Sequence, residues 1–128
     1  MLKLHNPASV HAPVSPYSHG IEVPPGARWL YVSGQVGVRP DGQPAPDSAA
    51  QIDQAWENLV SVLQSAGLGV RDVVKVTAFL VNREDVQAWR QARDRYLQGH
   101  RAASTLLLVA GLASPDWKVE IECVAAKG

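Results

Sequence analysis

Glu120 and Glu122 are the residues of this chain best placed for chemistry by type and spacing. They alternate with Val119, Ile121, Cys123 and Ala125 in VEIECVA. On a β-strand that pattern puts the apolar side chains on one face and both carboxylates on the other. Carboxylates two residues apart on a strand lie about 7 Å from one another, which suits two separate partners better than one shared proton. Two readings stay open. Glu120, at the start of the strand, positions or deprotonates a water. Alternatively one carboxylate is solvated and the other is paired with an arginine.

Other chemical groups argue for less. The four histidines, His5, His11, His19 and His100, lack the short fixed spacing of a zinc motif. Gly34-x-x-Gly37 opens a polar loop and has neither the Lys-Ser/Thr of a phosphate loop nor a third glycine. No Gly-x-Ser-x-Gly elbow is present. The lone cysteine, Cys123, falls on the apolar face of its strand and reads as a small core residue. It also excludes an internal disulfide.

The elements that must position these groups are legible in outline. Leu2–His5 and His19–Val23 are short strands, and WLYVSG at 29–34 is a strong one. Pro24-Pro25-Gly26 between the last two predicts a hairpin. Asp47 or Ser48 caps a helix whose Ile52, Trp56, Leu59 and Leu63 recur at helical spacing, with Gly67 as its stop. Val73–Leu80 is a strand. Asn82 then caps a second helix at about 85–98, with Val86, Trp89 and Tyr96 inward and Arg83, Arg90, Arg93 and Arg95 on a solvated, salt-laced face. Two further strands, joined by a turn, lie within Arg101–Val124, and both are apolar on more than one face. A strand buried on both sides needs cover on both sides. Two helices cover one face of one sheet, so a second copy of the chain is the economical cover for the other. The expectation is a single α+β domain over 1–128, with a mixed sheet, two helices on one face and self-association.

Composition narrows the partners. Twelve basic residues balance twelve acidic ones in 128, so no bulk field favours nucleic acid or an anionic membrane. No apolar run approaches the roughly 20 residues of a membrane span, and MLKLHNPAS has no signal-peptide apolar region. The expected location is cytoplasmic.

Several motifs in order resemble the Rid family, the reactive intermediate deaminases also known as YjgF-like or L-PSP endoribonuclease-like proteins. They are SPYSHGIEV at 15–23, LYVSGQVGV at 30–38, AAQIDQAWENLVSVLQSAGLGVRDVVKVTAFL at 49–80 and VEIECVA at 119–125. The resemblance implies a chorismate-mutase-like α+β fold assembled as a homotrimer, with ligand clefts between subunits. It implies cofactor-free hydrolysis of 2-imino or enamino acids to 2-oxo acids and ammonia. It matches the family's cleft tyrosine to Tyr17, its backbone donors to Ser33 and Gly34, its water-orienting glutamate to Glu120, and a water-holding carbonyl to Thr105.

One departure bears on substrate. Where deaminases of the family carry Pro-Ala-Arg-Ser/Thr, this chain reads Arg101-Ala102-Ala103-Ser104, so Ala103 stands in place of the arginine that grips the substrate carboxylate. A buried contact of that kind is worth about 2–5 kcal/mol. Arg101, two residues earlier, or Arg90, on the second helix, could supply a displaced anion site. Three functions follow: a hydrolase of an imine, enamine or related small metabolite with altered substrate; a ligand-binding or chaperone-like trimer without turnover; and, weakest given the neutral charge, an endoribonuclease.

Overall fold

The computed structural model describes residues 1–128. Strands β1 (Lys3–His5), β2 (Gly20–Glu22) and β3 (Arg28–Val36) are followed by helix α1 (Ser48–Ser65) and strand β4 (Val73–Leu80). Helix α2 (Val86–Leu97) and strands β5 (Ala103–Leu108) and β6 (Val119–Lys127) complete the chain. Four strands form the main sheet in the order β3-β6-β4-β5. The β3–β6 and β4–β6 pairs are antiparallel, and β4–β5 is parallel, so the sheet is mixed as expected. The parallel pair needs a crossover, and α2 supplies it.

Helix α1 forms where the apolar spacing places it. Asp47 accepts the Ala50 N–H at 2.8 Å, and Gly67, at φ 74°, closes the other end in a left-handed turn from which Leu68 N–H reaches back to Leu63 O. Ile52, Ala55, Trp56, Leu59 and Leu63 are buried against Val76, Ala78, Ile121, Cys123 and Ala125 of the sheet. Trp56 stacks on Tyr96 of α2 at 5.7 Å between ring centroids, which locks the two helices over one face.

Four expectations need correction. First, β2 does not pair with β3; it pairs antiparallel with β1, Lys3 opposite Glu22 and His5 opposite Gly20. Pro24 and Pro25 have no N–H to donate beside the turn, whereas β1 offers a full ladder and the His5–Glu22 contact at 2.9 Å. Second, β5 and β6 are joined by a longer connection and have β4 between them. Third, α2 begins at Val86; Asn82 precedes a single tight turn, Arg83–Asp85, and makes no side-chain cap bond. Fourth, Arg93 is not solvated, since only 3% of it is exposed.

The second face of the sheet is uncovered in the single chain. Trp29, Tyr31, Val124, Phe79 and Leu107 lie on it, with Tyr31 74% and Leu107 46% exposed. No helix is long and apolar enough to cross a membrane.

Candidate functional site

A bulge in β3 builds the glutamate side of the site. Val32 pairs with Cys123 and Gln35 with Ile121, so Ser33 and Gly34 together oppose the single residue Glu122. The extra residue turns the strand so that Gly34 lies beneath the side chain of Glu120. A methyl group at Gly34 would overlap Glu120 Oε2 and stand 2.7 Å from Cδ and 3.0 Å from Cγ. The absence of a side chain at Gly34 is therefore what lets the carboxylate rest against the β3 backbone. Glu120 itself is half-buried, and none of the three ion pairs of the chain involves it. Its strand neighbours are Val36 and Phe79. A half-buried carboxylate without an ion pair can accept a proton or a hydrogen bond from a molecule placed against it.

Two side chains of α1, the buried Gln51 and the half-buried Asn58, hold both strands of this half-site. Gln51 of α1 donates Nε2–H to the carbonyls of Ala45 and Asp116, and its Oε1 accepts the Lys118 N–H at 2.8 Å, two residues before Glu120. Asn58 donates to Val36 O and Val38 O, just past the bulge. Gly37 lets α1 come close: a Cβ there would be 2.5 Å from Gln51 Cα and 2.7 Å from its carbonyl oxygen.

The other site residues lie at the opposite edge of the sheet. Ser18 N–H donates to Ala102 O at 3.2 Å and Ser18 bridges Ala103, which brings Tyr17 beside β5. Ala103 and Thr105 point to the uncovered face, while Ser104 and Leu106 point toward α2. Thr105 Oγ1 accepts from Lys75 Nζ at 2.6 Å, and Lys75 pairs in register with Ala103. Tyr17, Arg90 and Ser104 line one cavity of about 100 Å³ with Trp89 and Arg93. Arg101 precedes β5 and is exposed, in a separate depression with Pro16, Asp94, Gly99 and His100.

The structure thus divides the named residues into two groups. Ser33, Gly34 and Glu120 gather at the β3–β6 side. Tyr17, Arg90, Ala103 and Thr105 gather at the β5 edge. Two interstrand steps of about 4.8 Å and a two-residue offset put Glu120 roughly 12 Å from Thr105 within one chain.

Two cations escaped the sequence reading. Arg93 stands four residues after Trp89 and three before Tyr96, on the buried stripe of α2, and that spacing could have found it. Lys75 alternates with Thr77 and Phe79, which places it on the same sheet face as Glu120 and Thr105. Cys123 matches its core reading: burial, then the nearby Glu122 charge, pushes its thiol up to about 12. No group of three or more His, Cys, Asp or Glu is placed to hold a metal ion.

Comparisons with known proteins agree on the family. The family model described as endoribonuclease L-PSP matches residues 8–127. The 2-iminobutanoate/2-iminopropanoate deaminase of Mus musculus is 35% identical over 119 residues, covering 91% of this chain and 85% of that protein. The protein of the same name from Escherichia coli K12 is 32% identical over 120 residues, covering 91% of each. Among solved structures, a Rid-family protein of unknown function from Yersinia pestis superposes with a TM-score of 0.91 at 30% identity over 98% of both chains. E. coli TdcF with bound serine gives 0.74 at 28% identity over 91% of both.

Proposed function

This chain belongs to the endoribonuclease L-PSP family, the Rid or YjgF-like proteins, and on that premise we propose that it is a cofactor-free hydrolase of a small imine or enamine, working as a homotrimer in the cytoplasm. Relatives at 32–35% identity are named as imine deaminases. The observation that carries the reading is the Glu120 carboxylate resting over the side-chain-free Gly34.

In this scheme Glu120 takes one proton from a water as its oxygen attacks the imine carbon, and passes that proton to the nitrogen to which the C=N electron pair moves, giving a neutral carbinolamine. Glu120 then takes the hydroxyl proton as the carbonyl forms and the C–N bond breaks, and gives it to the departing nitrogen, so that ammonia leaves and the carboxylate is restored. Backbone N–H groups at Ser33 and Gly34 orient the reacting group, and Tyr17 closes the opposite side.

The uncovered sheet face supports the trimer reading. The two groups of site residues stand at opposite sides of one sheet, and the face between them carries uncovered Trp29, Tyr31 and Leu107. A neighbouring copy packed on that face would cover the apolar residues and set one subunit's Glu120 against another's Tyr17 and β5. The free, buried Cys123 suits a reducing compartment.

Ala103 sets the specificity. With no guanidinium there, 2-iminobutanoate is a slow substrate, and Ala103→Arg accelerates its hydrolysis. Imines generated in situ by an amino-acid oxidase provide the test. Faster decay with Ala103→Arg than with wild type supports the scheme; equal inertness of both proteins toward every imine tried would refute it.

A further inference from the structure

We propose that Arg93 and Arg90, with Tyr17 and Ser104, form a binding site for the carboxylate of a small organic acid. The proposal rests on the hydrolase reading for what is done to that acid, and names the class of substrate the site takes.

The argument starts from a charge that is poorly satisfied. Burying a guanidinium costs several kcal/mol unless it is paired and hydrogen-bonded. Only 3% of Arg93 is exposed, yet its sole anionic partner is Asp94. Nε and Nη2 both donate to one Asp94 oxygen, at 3.1 and 3.0 Å, and that side chain is itself 44% exposed. No protein acceptor takes Nη1. The guanidinium carbon sits 5.2 Å from the ring centroid of Trp89, whose buried indole N–H also has no acceptor.

Trp89 and Arg93, with Arg90, line the cavity between the segment 14–17, α2 and β5. Its lining holds two arginines and three hydroxyls, from Ser15, Tyr17 and Ser104, and no carboxylate. Arg90 forms no ion pair and lies three residues from Arg93, on the same side of α2. A carboxylate has about four lone-pair sites, and a ligand carboxylate in this cavity would offer acceptors to the arginine and hydroxyl donors that line it.

Size and position define the acid. A cavity of about 100 Å³ has the volume of roughly three waters, enough for a carboxylate and one or two carbons. The remainder of the ligand must leave around the outer edge of β5 beyond the Ser18–Ala103 bridge, past Tyr17, toward the face on which Ala103 presents only a methyl group. The carboxylate is then several bonds from the reacting carbon, unlike that of a 2-imino acid, where it is adjacent. The arginine missing at Ala103 is replaced by a clamp set farther back.

Two keto acids of different spacing, sodium 4-oxopentanoate and sodium 2-oxobutanoate, serve as probes in calorimetry and in ¹H–¹⁵N spectra of the purified protein. We expect 4-oxopentanoate to bind more tightly and to shift the Trp89 indole N–H resonance. Arg90→Met should weaken that binding by about tenfold or more, as should Arg93→Lys, which keeps the charge and loses the planar fork. Should Arg93→Lys fail to fold, the half-buried and unpaired Arg90 carries the test alone. Equal or tighter binding of 2-oxobutanoate overturns the proposal, as does binding insensitive to both arginines, or binding lost only in Lys75→Met. The two readings fail separately. Arginine-dependent binding without imine turnover keeps the carboxylate site and removes the hydrolase. Glu120-dependent turnover that ignores both arginines keeps the hydrolase and removes this site.

Discussion

Gly34 and Glu120 occupy one space: a Cβ on the first would overlap the carboxylate of the second and approach within 2.7 Å of its Cδ. The overlapping group is the far end of a flexible side chain, so an alanine there displaces the carboxylate and leaves the strands intact. Gly34→Ala is expected to lose activity on the scale of a missing general base, about 10²–10⁴-fold, with a thermal midpoint close to wild type. Imine-decay rates and a melting curve check both halves. Full activity in Gly34→Ala would show that the position of Glu120 is immaterial.

Gly37 behaves differently, because what meets it is backbone. A Cβ there would stand 2.5 Å from Gln51 Cα and 2.7 Å from Gln51 O. Gly37→Ala must push α1 off the sheet, and the expected result is a protein destabilised by several kcal/mol in urea titration. Gln51→Leu fills the same volume but leaves Ala45 O, Asp116 O and Lys118 N without partners. It should cost about 1–3 kcal/mol for each group that water cannot reach.

Alkaline stability follows from Cys123 and Tyr96. An unfolded thiol releases its proton from about pH 8.5, whereas burial and then Glu122 hold the folded one up to about 12. Tyr96 is also raised, by desolvation first and by Asp53 and Glu57 after it. Across this window the folded chain binds more protons than the unfolded one, so stability falls as pH rises. Urea midpoints should decline from about pH 9 upward, and less steeply in Cys123→Ala. An identical slope in that variant would remove Cys123 from the explanation.

Self-association has its own test. Tyr31 stacks on Trp29 at 6.5 Å on the uncovered sheet face. If that face is a subunit interface, Tyr31→Asp buries a carboxylate there and dissociates the assembly. Sedimentation should show a trimer for wild type and smaller species for the variant; a wild-type monomer at micromolar concentration would contradict the trimer.

The sequence was legible where local physics decides. Helix α1 follows from a cap at Asp47, a stripe from Ile52 to Leu63 and a stop at Gly67, all set within neighbouring turns. The alternation of β6 placed Glu120 on the face opposite the core for the same reason. Strand partners were less accessible, because pairing is a tertiary choice: β2 joins β1 across fourteen intervening residues rather than its neighbour β3. Arg93 was obscured by its chemistry. Its spacing belongs to the buried stripe, but a guanidinium reads as solvated until the cavity beside it is seen. The contact of Gly34 with Glu120 joins positions far apart in the chain, and only the bulge at Ser33–Gly34 brings them together.

The most direct measurement compares wild type with Glu120→Gln on imines of small amino acids and of acids whose carboxylate is more distant. The substitution keeps shape and removes the base. The account predicts that wild type accelerates decay of at least one imine, with ammonia released in equal amount, and that Glu120→Gln loses about 10²-fold or more of that rate while binding the same ligands. An undiminished rate in Glu120→Gln would contradict it.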